Sequence, residues 1–359
     1  MKGKMKAQVF YEPEVMKLEE VDIPQITDDQ VLVKVKACGI CGSDVAYYFG
    51  ASSLETPTGK GPLILGHEFT GEVVEVGKIP ESLGLFKPGD RVVLDPVQYC
   101  NACEVCKKGY VNLCENKTVL GVSVDGGFAE YCAVQYTSVH KLPDNVSYEQ
   151  GSLTEPLADA VYGVGNMEIS PGDFCVVIGP GPIGIMMVQL AKASGAGKVI
   201  LVGTRDYRLQ VGLEVGADEV FNTGDKSSPI YTDDLKGKIE ELSGGKFADA
   251  VIVATGSVEA MEMALEISGR RARVVYFGLP ADVAVVKVPA LAQILWDKTI
   301  RFSWLAPLTW PRALQLLSTG QINVERLISH RYKLDQLEQA LHEVRDRKGN
   351  VMKAIVVME

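Results

Sequence analysis

The chain has 359 residues, of which 47% are hydrophobic and 23% charged, and its net charge is −10. This is ordinary soluble composition in a chain long enough for about two domains. The acidic balance excludes the basic stripe a nucleic-acid surface needs, and argues against adsorption to anionic lipid. The most apolar stretch, around residues 174–191, is broken by Gly179, Pro180, Gly181 and Pro182 and cannot span a membrane. Lys2, Lys4 and Lys6 have no apolar run behind them, so no secretory signal is expected and a cytoplasmic location is.

Residues 1 to about 155 read as short strands with turn punctuation. Val31, Val33, Val35 and Ala37 alternate with Leu32, Lys34 and Lys36, the period of a half-buried strand. Residues 71–77 repeat that pattern, and Lys87-Pro88-Gly89-Asp90 is a turn into a strand over 91–94. From about 173 the rhythm changes. Residues 174–178 form the continuous apolar run of a parallel strand covered on both faces, and Ile183, Met187, Leu190 and Ala191 then follow helical spacing to Gly195. Residues 198–202, 250–254 and 273–277 read as further buried strands. Leu209 with Leu213, and Met261 with Ala264 and Leu265, supply helix faces between them. This alternation is that of a parallel α/β sheet. Beyond about 292 the elements are mixed and include a helix carrying Leu337, Leu341 and Val344. The class is α/β, with one domain formed by 1–156 and 292–359 and a second, inserted late, over 157–291.

Three constellations carry chemistry. Four of the eight cysteines fall in Cys100-x2-Cys103-x2-Cys106-x7-Cys114. In a reducing cytosol, clustered cysteines point to metal rather than disulfides. Four thiolates in one loop close a tetrahedron around zinc with no open position, a structural site. An iron–sulfur run would place the fourth cysteine, with proline, after three residues rather than seven. Lys107, Lys108 and Lys117 are offset by Glu104 and Glu115, too little positive excess for a nucleic-acid module.

The second constellation is Gly39-Ile40-Cys41-Gly42-Ser43-Asp44 with Gly66-His67-Glu68. Thiolate, imidazole and carboxylate make a three-ligand set for a catalytic zinc that keeps one open position. Cys38-x-x-Cys41 lacks the following strand–helix–strand setting of a redox pair. His140, His330 and His342 have no partners in sequence and read as structural or surface residues. The third is Gly179-Pro180-Gly181-Pro182-Ile183-Gly184, a G-x-G-x-x-G between a buried strand and a helix. There the first glycine turns the chain, the second admits a pyrophosphate and the third lets helix and strand close up, with the phosphates at the helix N-terminus.

With Thr154-Glu155-Pro156-Leu157-Ala158, these motifs make the chain resemble the zinc-dependent medium-chain alcohol dehydrogenases over nearly its whole length. Within that family it looks most like the polyol branch of sorbitol and butanediol dehydrogenases. The resemblance implies a GroES-like β-rich catalytic domain split around a Rossmann domain. It also implies two zinc ions, with Cys41 and His67 on the catalytic one. Where simple alcohol dehydrogenases carry a further cysteine this chain has Glu155; in the polyol branch either that glutamate or Glu68 lies at the metal, directly or through water. Asp44 would orient the His67 ring.

The implied reaction is hydride transfer between a secondary alcohol and a nicotinamide. Zinc lowers the hydroxyl pKa toward about 7, from about 15.7 for bulk water. Ser43 stands at the family's proton-relay position, and the histidine that follows it in many relatives is here Ala46, leaving water or a ribose hydroxyl to serve. The expected substrate carries a neighbouring hydroxyl, as in a polyol, sugar alcohol or vicinal diol, with Glu155, Tyr47 or Tyr48 to meet it. A simple aliphatic or aryl alcohol, or a non-catalytic dinucleotide-binding relative, are the alternatives. The family forms dimers or tetramers, with an edge expected near 273–277. Aligning Gly216-Ala217 with the family's Gly-Ala puts Gly203 where NAD-preferring members carry an acid on the ribose hydroxyls. Thr204, Arg205 and Arg208 would then suit the 2′-phosphate of NADP, unless Asp206 swings back to the ribose.

Overall fold

The computed structural model describes residues 1–358, in two compact units. The first comprises Met1–Pro156, Trp310–Ser318 and the chain from Val324 on. Its main sheet has seven strands, in the order Val139–Lys141, Arg91–Leu94, Glu68–Val76, Gln30–Gly39, Lys353–Val357, Ile328–Tyr332, with Tyr131–Gln135 also paired to Gln30–Gly39. The pairs are antiparallel except the last on the path, Ile328–Tyr332 with Lys353–Val357. A smaller sheet joins Val15–Asp22, Lys4–Glu12 and Leu63–Ile64. The alternation over 31–37 predicts a strand wet on one face, yet Leu32 is as buried as Val31 and Val33. Residues of both parities enter one apolar cluster with Phe69 and Phe128, so the strand is central rather than peripheral.

The second unit comprises Leu157–Thr309 and Thr319–Asn323. Six parallel strands run in the order Glu219–Asn222, Lys198–Gly203, Phe174–Ile178, Ala248–Val253, Ser268–Tyr276, Thr299–Phe302. This is the doubly wound Rossmann order, which reverses beside the first strand and places a ligand at that strand's carboxyl end. Valine and isoleucine fill these strands because helices such as Pro182–Ala193, Asp206–Glu214 and Val258–Ile267 connect them. Two expectations need correction. The unit does not end at 291, because Thr299–Phe302 adds a sixth strand to its sheet. The 273–277 strand is consequently not the edge; Thr299–Phe302 is. The Thr-Ile-Arg-Phe sequence is too short and too polar to advertise a strand before its partner is known.

Candidate functional site

In the first unit, Cys41 ends the loop after the Gln30–Gly39 strand and caps the helix Gly42–Tyr48. Glu68 opens the Glu68–Val76 strand, and His67 immediately precedes it. One ligand atom from each of Cys41, His67 and Glu68 lies within 4.8 Å of the others. Asp44, fully buried, ties the two loops together. Its Oδ2 accepts from the Cys41 backbone N–H at 2.8 Å, and its Oδ1 accepts from the Gly66 N–H at 3.3 Å. The same Oδ1 stands 3.4 Å from His67 Nδ1, an ion-pair contact too poorly aimed for a hydrogen bond. Ser43 Oγ is 3.4 Å from the other ring nitrogen, Nε2. Burial opposes a charge on His67, but Asp44 and Cys41 outweigh it and hold the ring's pKa well above the ordinary histidine value. Gly66 makes this approach possible, having φ +91° and standing where a Cβ would press on Cys38 Sγ at 2.9 Å.

Glu68 is 1% exposed and forms an ion pair with Lys353, itself 5% exposed. Lys353 Nζ also donates to the Ile40 carbonyl at 3.0 Å, next to the Cys41 loop. Burial disfavours the ammonium, but Glu68, with help from Cys41 and Glu155, overcomes it and raises its pKa. Nothing in the local sequence reveals Lys353 as a site residue; its only signal is a lysine opening the apolar run Lys353-Ala354-Ile355-Val356-Val357. Glu155, second residue of the helix Thr154–Gly165, is half-buried within electrostatic reach of Lys353, but stands outside the three-donor cluster. Of the two tyrosines, Tyr48 is accounted for by packing: its hydroxyl donates to Glu338 Oε1 at 2.6 Å, and its ring meets Phe49 and His342. Tyr47 lies one helical turn from Ser43 and therefore shares its face.

A thiolate, an imidazole and a carboxylate in one buried cluster, with a second carboxylate nearby, fit a zinc ion that keeps an exchangeable position. The four cysteines of the lobe form a second cluster, again within 4.8 Å of one another. Cys103 caps the short helix Glu104–Lys107, and the lobe's small apolar core is Val111, Cys106 and Cys114 with Tyr99 against them. Backbone N–H groups of Ala102 and Cys103 point at Cys100 Sγ and lower its pKa to about 6. Cys100 N–H donates to Cys114 Sγ at 3.4 Å. Amides aimed at sulfur stabilise thiolates, so this set fits a closed structural zinc.

In the second unit, the glycine loop leads into the twelve-residue helix Pro182–Ala193, with Gly181 as N-cap and Pro182 in its first turn. Gly179 has φ +113°; a Cβ on Gly181 would meet nothing within 4 Å, whereas one on Gly184 would collide with the Gly179 carbonyl. The loop is therefore tight where the chain turns and open where a pyrophosphate would sit beside Ile183 and the helix amides. Across the sheet, Thr204 and Arg205 follow the Lys198–Gly203 strand, both exposed, and Arg205 caps the helix Asp206–Glu214 that carries the half-buried Arg208. Asp206 is engaged within its own unit: its Oδ1 accepts from Asn222 Nδ2 at 2.6 Å and Ser228 Oγ at 2.7 Å.

Residues 27–144 match the alcohol dehydrogenase GroES-like domain and residues 182–319 the zinc-binding dehydrogenase domain. The chain is 32% identical over 354 residues to a sorbitol dehydrogenase of Bacillus subtilis (strain 168), covering 98% of this chain and 97% of that one. A protein of Sinorhizobium meliloti 1021 solved bound to NADP superposes with TM-score 0.89 at 30% identity, covering 99% of both chains. An alcohol dehydrogenase of E. coli CFT073 complexed with NADH gives 0.88 at 30% identity, again over 99% of both.

Proposed function

The chain belongs to the zinc-dependent medium-chain alcohol dehydrogenases, and on that premise we propose how its residues share the reaction. It is an oxidoreductase that moves a hydride between a polyol or diol and a nicotinamide cofactor. The observation that carries the assignment of roles is the cluster of Cys41, His67 and Glu68, bound into one unit by Asp44. These three would hold the catalytic zinc, with Glu155 the alternative carboxylate. A zinc ion there supplies Lewis acidity that makes an alcohol a far better proton donor than in water. Ser43, beside the ring of His67, takes the alcohol's proton first. Ala46 offers no side chain to carry it further, so the next acceptor is water or a ribose hydroxyl. Tyr47, on Ser43's face, meets the substrate's second hydroxyl. Cys100, Cys103, Cys106 and Cys114 hold a second, structural zinc, giving two per chain.

Gly179, Gly181, Pro182, Ile183 and Gly184 seat the pyrophosphate. Without an acid at Gly203 and with Asp206 engaged by Asn222 and Ser228, the adenosine ribose meets Thr204, Arg205 and Arg208, which favours NADP(H). The exposed apolar residues Leu291, Ile294, Leu295 and Phe302, beside the open edge of Thr299–Phe302, support a homodimer or homotetramer formed there. No described helix is long and apolar enough to cross a membrane. A cytoplasmic location, without nucleic-acid partners, fits the acidic chain and its clustered cysteines.

The test is a panel of polyols, vicinal diols and simple alcohols, each with NADP and NAD, alongside metal analysis. A vicinal diol or polyol should give the highest kcat/KM, with NADP at least tenfold better than NAD and two zincs per chain. Ethanol or benzyl alcohol as best substrate would replace the polyol reading by that of a simple alcohol dehydrogenase. One zinc with no turnover would leave only a dinucleotide-binding protein.

A further inference from the structure

The Lys198–Gly203 strand ends on a glycine whose reason is space, not backbone conformation. Gly203 lies outside the left-handed region, unlike Gly179 at φ +113°. A Cβ built on Gly203 would overlap Cγ and Cδ of Pro180, with Pro180 Cβ next at 3.4 Å. Carbon atoms in ordinary contact sit about 3.5–4.0 Å apart, so no side chain of any chemistry fits here without movement.

Pro180 cannot give way cheaply. Its ring is fused to the backbone and has no rotamer to escape into. It is buried, and its neighbours are fixed. The Gly179 N–H donates to the Val202 carbonyl at 2.8 Å, and Gly184 packs so closely on the Gly179 carbonyl that only glycine fits. Relieving a clash at Gly203 therefore means shifting the phosphate loop itself. Gly203 is braced as well, its carbonyl accepting from the Thr223 N–H at 2.8 Å.

We infer that Pro180 is a specificity-determining residue: by filling the space over Gly203 it bars a carboxylate from the strand end where one would bind the ribose hydroxyls of NAD. The absence of a carboxylate is thus fixed by two residues in contact, one in the phosphate loop and one at the end of the neighbouring strand. The inference rests on the NADP(H) reading only for which cofactor the native chain takes. The steric pair stands independently of it. One consequence is concrete: Gly203→Asp alone does not create an NAD site but pushes the loop away from both cofactors.

The experiment compares the zinc-loaded native protein with Gly203→Ala, Pro180→Ala and the double variant. It reads Tm without cofactor, and Kd for NADPH and NADH by fluorescence titration. Gly203→Ala should lower Tm and weaken both cofactors at least tenfold. Adding Pro180→Ala should recover most of both losses, a non-additivity that independent sites would not give. Gly203→Asp with Pro180→Ala should then favour NADH over NADPH by tenfold or more, where Gly203→Asp alone binds neither well. If Gly203→Ala fails to fold but the double variant folds, the steric pair is supported. Additive effects, failure of both to fold, or tight NADH binding by Gly203→Asp alone would overturn it. If the native chain prefers NADH while the coupling is present, the NADP(H) reading fails and the steric pair survives.

Discussion

The two cysteine-bearing clusters of the first unit are built on opposite plans. The lobe takes all four ligands from fifteen consecutive residues, 100–114, around a short helix and a handful of apolar contacts. The three-donor cluster takes Cys41 from one loop and His67 with Glu68 from another, and depends on Asp44, Gly66 and Lys353 to bring them together. A local site closes on itself and fixes a fold. An assembled site can be left one ligand short, with the missing position available for substrate, but it needs buried supporting groups that a local site does not.

The largest expected separation of the two comes from Cys41→Ser. Turnover should fall by at least about a thousandfold, since several kcal/mol of charge stabilisation are lost at about 1.4 kcal/mol per factor of ten. Zinc content should fall from two to one per chain, the remaining ion resisting exchange as in the native protein. Cys106→Ser should do the reverse, losing the lobe's zinc and lowering Tm. A Cys41→Ser protein with native activity would refute the catalytic assignment.

Next comes Lys353→Met. In the zinc-free protein it removes the ammonium that pairs with the almost fully buried Glu68, and breaking a buried pair typically costs about 3–5 kcal/mol. Denaturant unfolding should show this loss, and Lys353→Met with Glu68→Gln should recover much of it while still impairing the metal site. Equal stability of Lys353→Met and native protein would mean that the ion pair does not hold Glu68.

The legibility of the molecule in its sequence follows the same division. The glycine loop and the four-cysteine lobe were readable because each is a run of neighbours with fixed spacing. The strands over 91–94 and 174–178 were readable because their apolar pattern matches one environment along their length. Lys353 was not, because its significance lies in facing Glu68, 285 positions earlier in the chain; no window along the sequence holds both. The Thr299–Phe302 strand is hidden for a related reason: its hydrogen-bond partner, Ser268–Tyr276, defines it, not its own composition. Tyr47 and Tyr48 are indistinguishable as adjacent letters, and only the partner Glu338 sorts them.

Acid asks whether the framework under both clusters is more labile than the clusters themselves. His140 stacks on Trp310 with ring centroids 5.3 Å apart, and burial pushes its pKa down to about 4. The unfolded chain binds a proton near pH 6.5 that the folded one refuses, so this contribution to stability is complete above about 6.5 and is lost as pH falls toward 4. It amounts to roughly 3 kcal/mol. His140→Gln should flatten that part of the stability–pH curve, followed by fluorescence of Trp310, the unit's own tryptophan. Zinc loss in acid is common to both proteins and cancels in the difference. Curves that stay parallel from pH 7 to 4 would place the acid sensitivity elsewhere.

The finest test is Asp44→Asn, which keeps shape and removes charge. The amide oxygen can still accept from one of the two loop N–H groups, Cys41 or Gly66, so the fold of the site should persist. Its NH2 end, however, faces the other N–H, a donor from which the carboxylate oxygen accepted, and His67 loses the negative charge 3.4 Å from Nδ1. Removing such an outer partner of a ligating histidine typically costs about 10–100-fold in metal affinity. Chelator competition should therefore show one zinc released that much more readily and the other unchanged, because Asp44 does not touch the lobe, whose sulfurs accept from its own backbone amides and from the Asn116 side-chain amide. Release of both ions at native rates would show that the loops hold the catalytic ligands without Asp44. Equal weakening of both would mean that the substitution loosens the unit as a whole, and the contrast between an assembled and a local site would lose its physical basis.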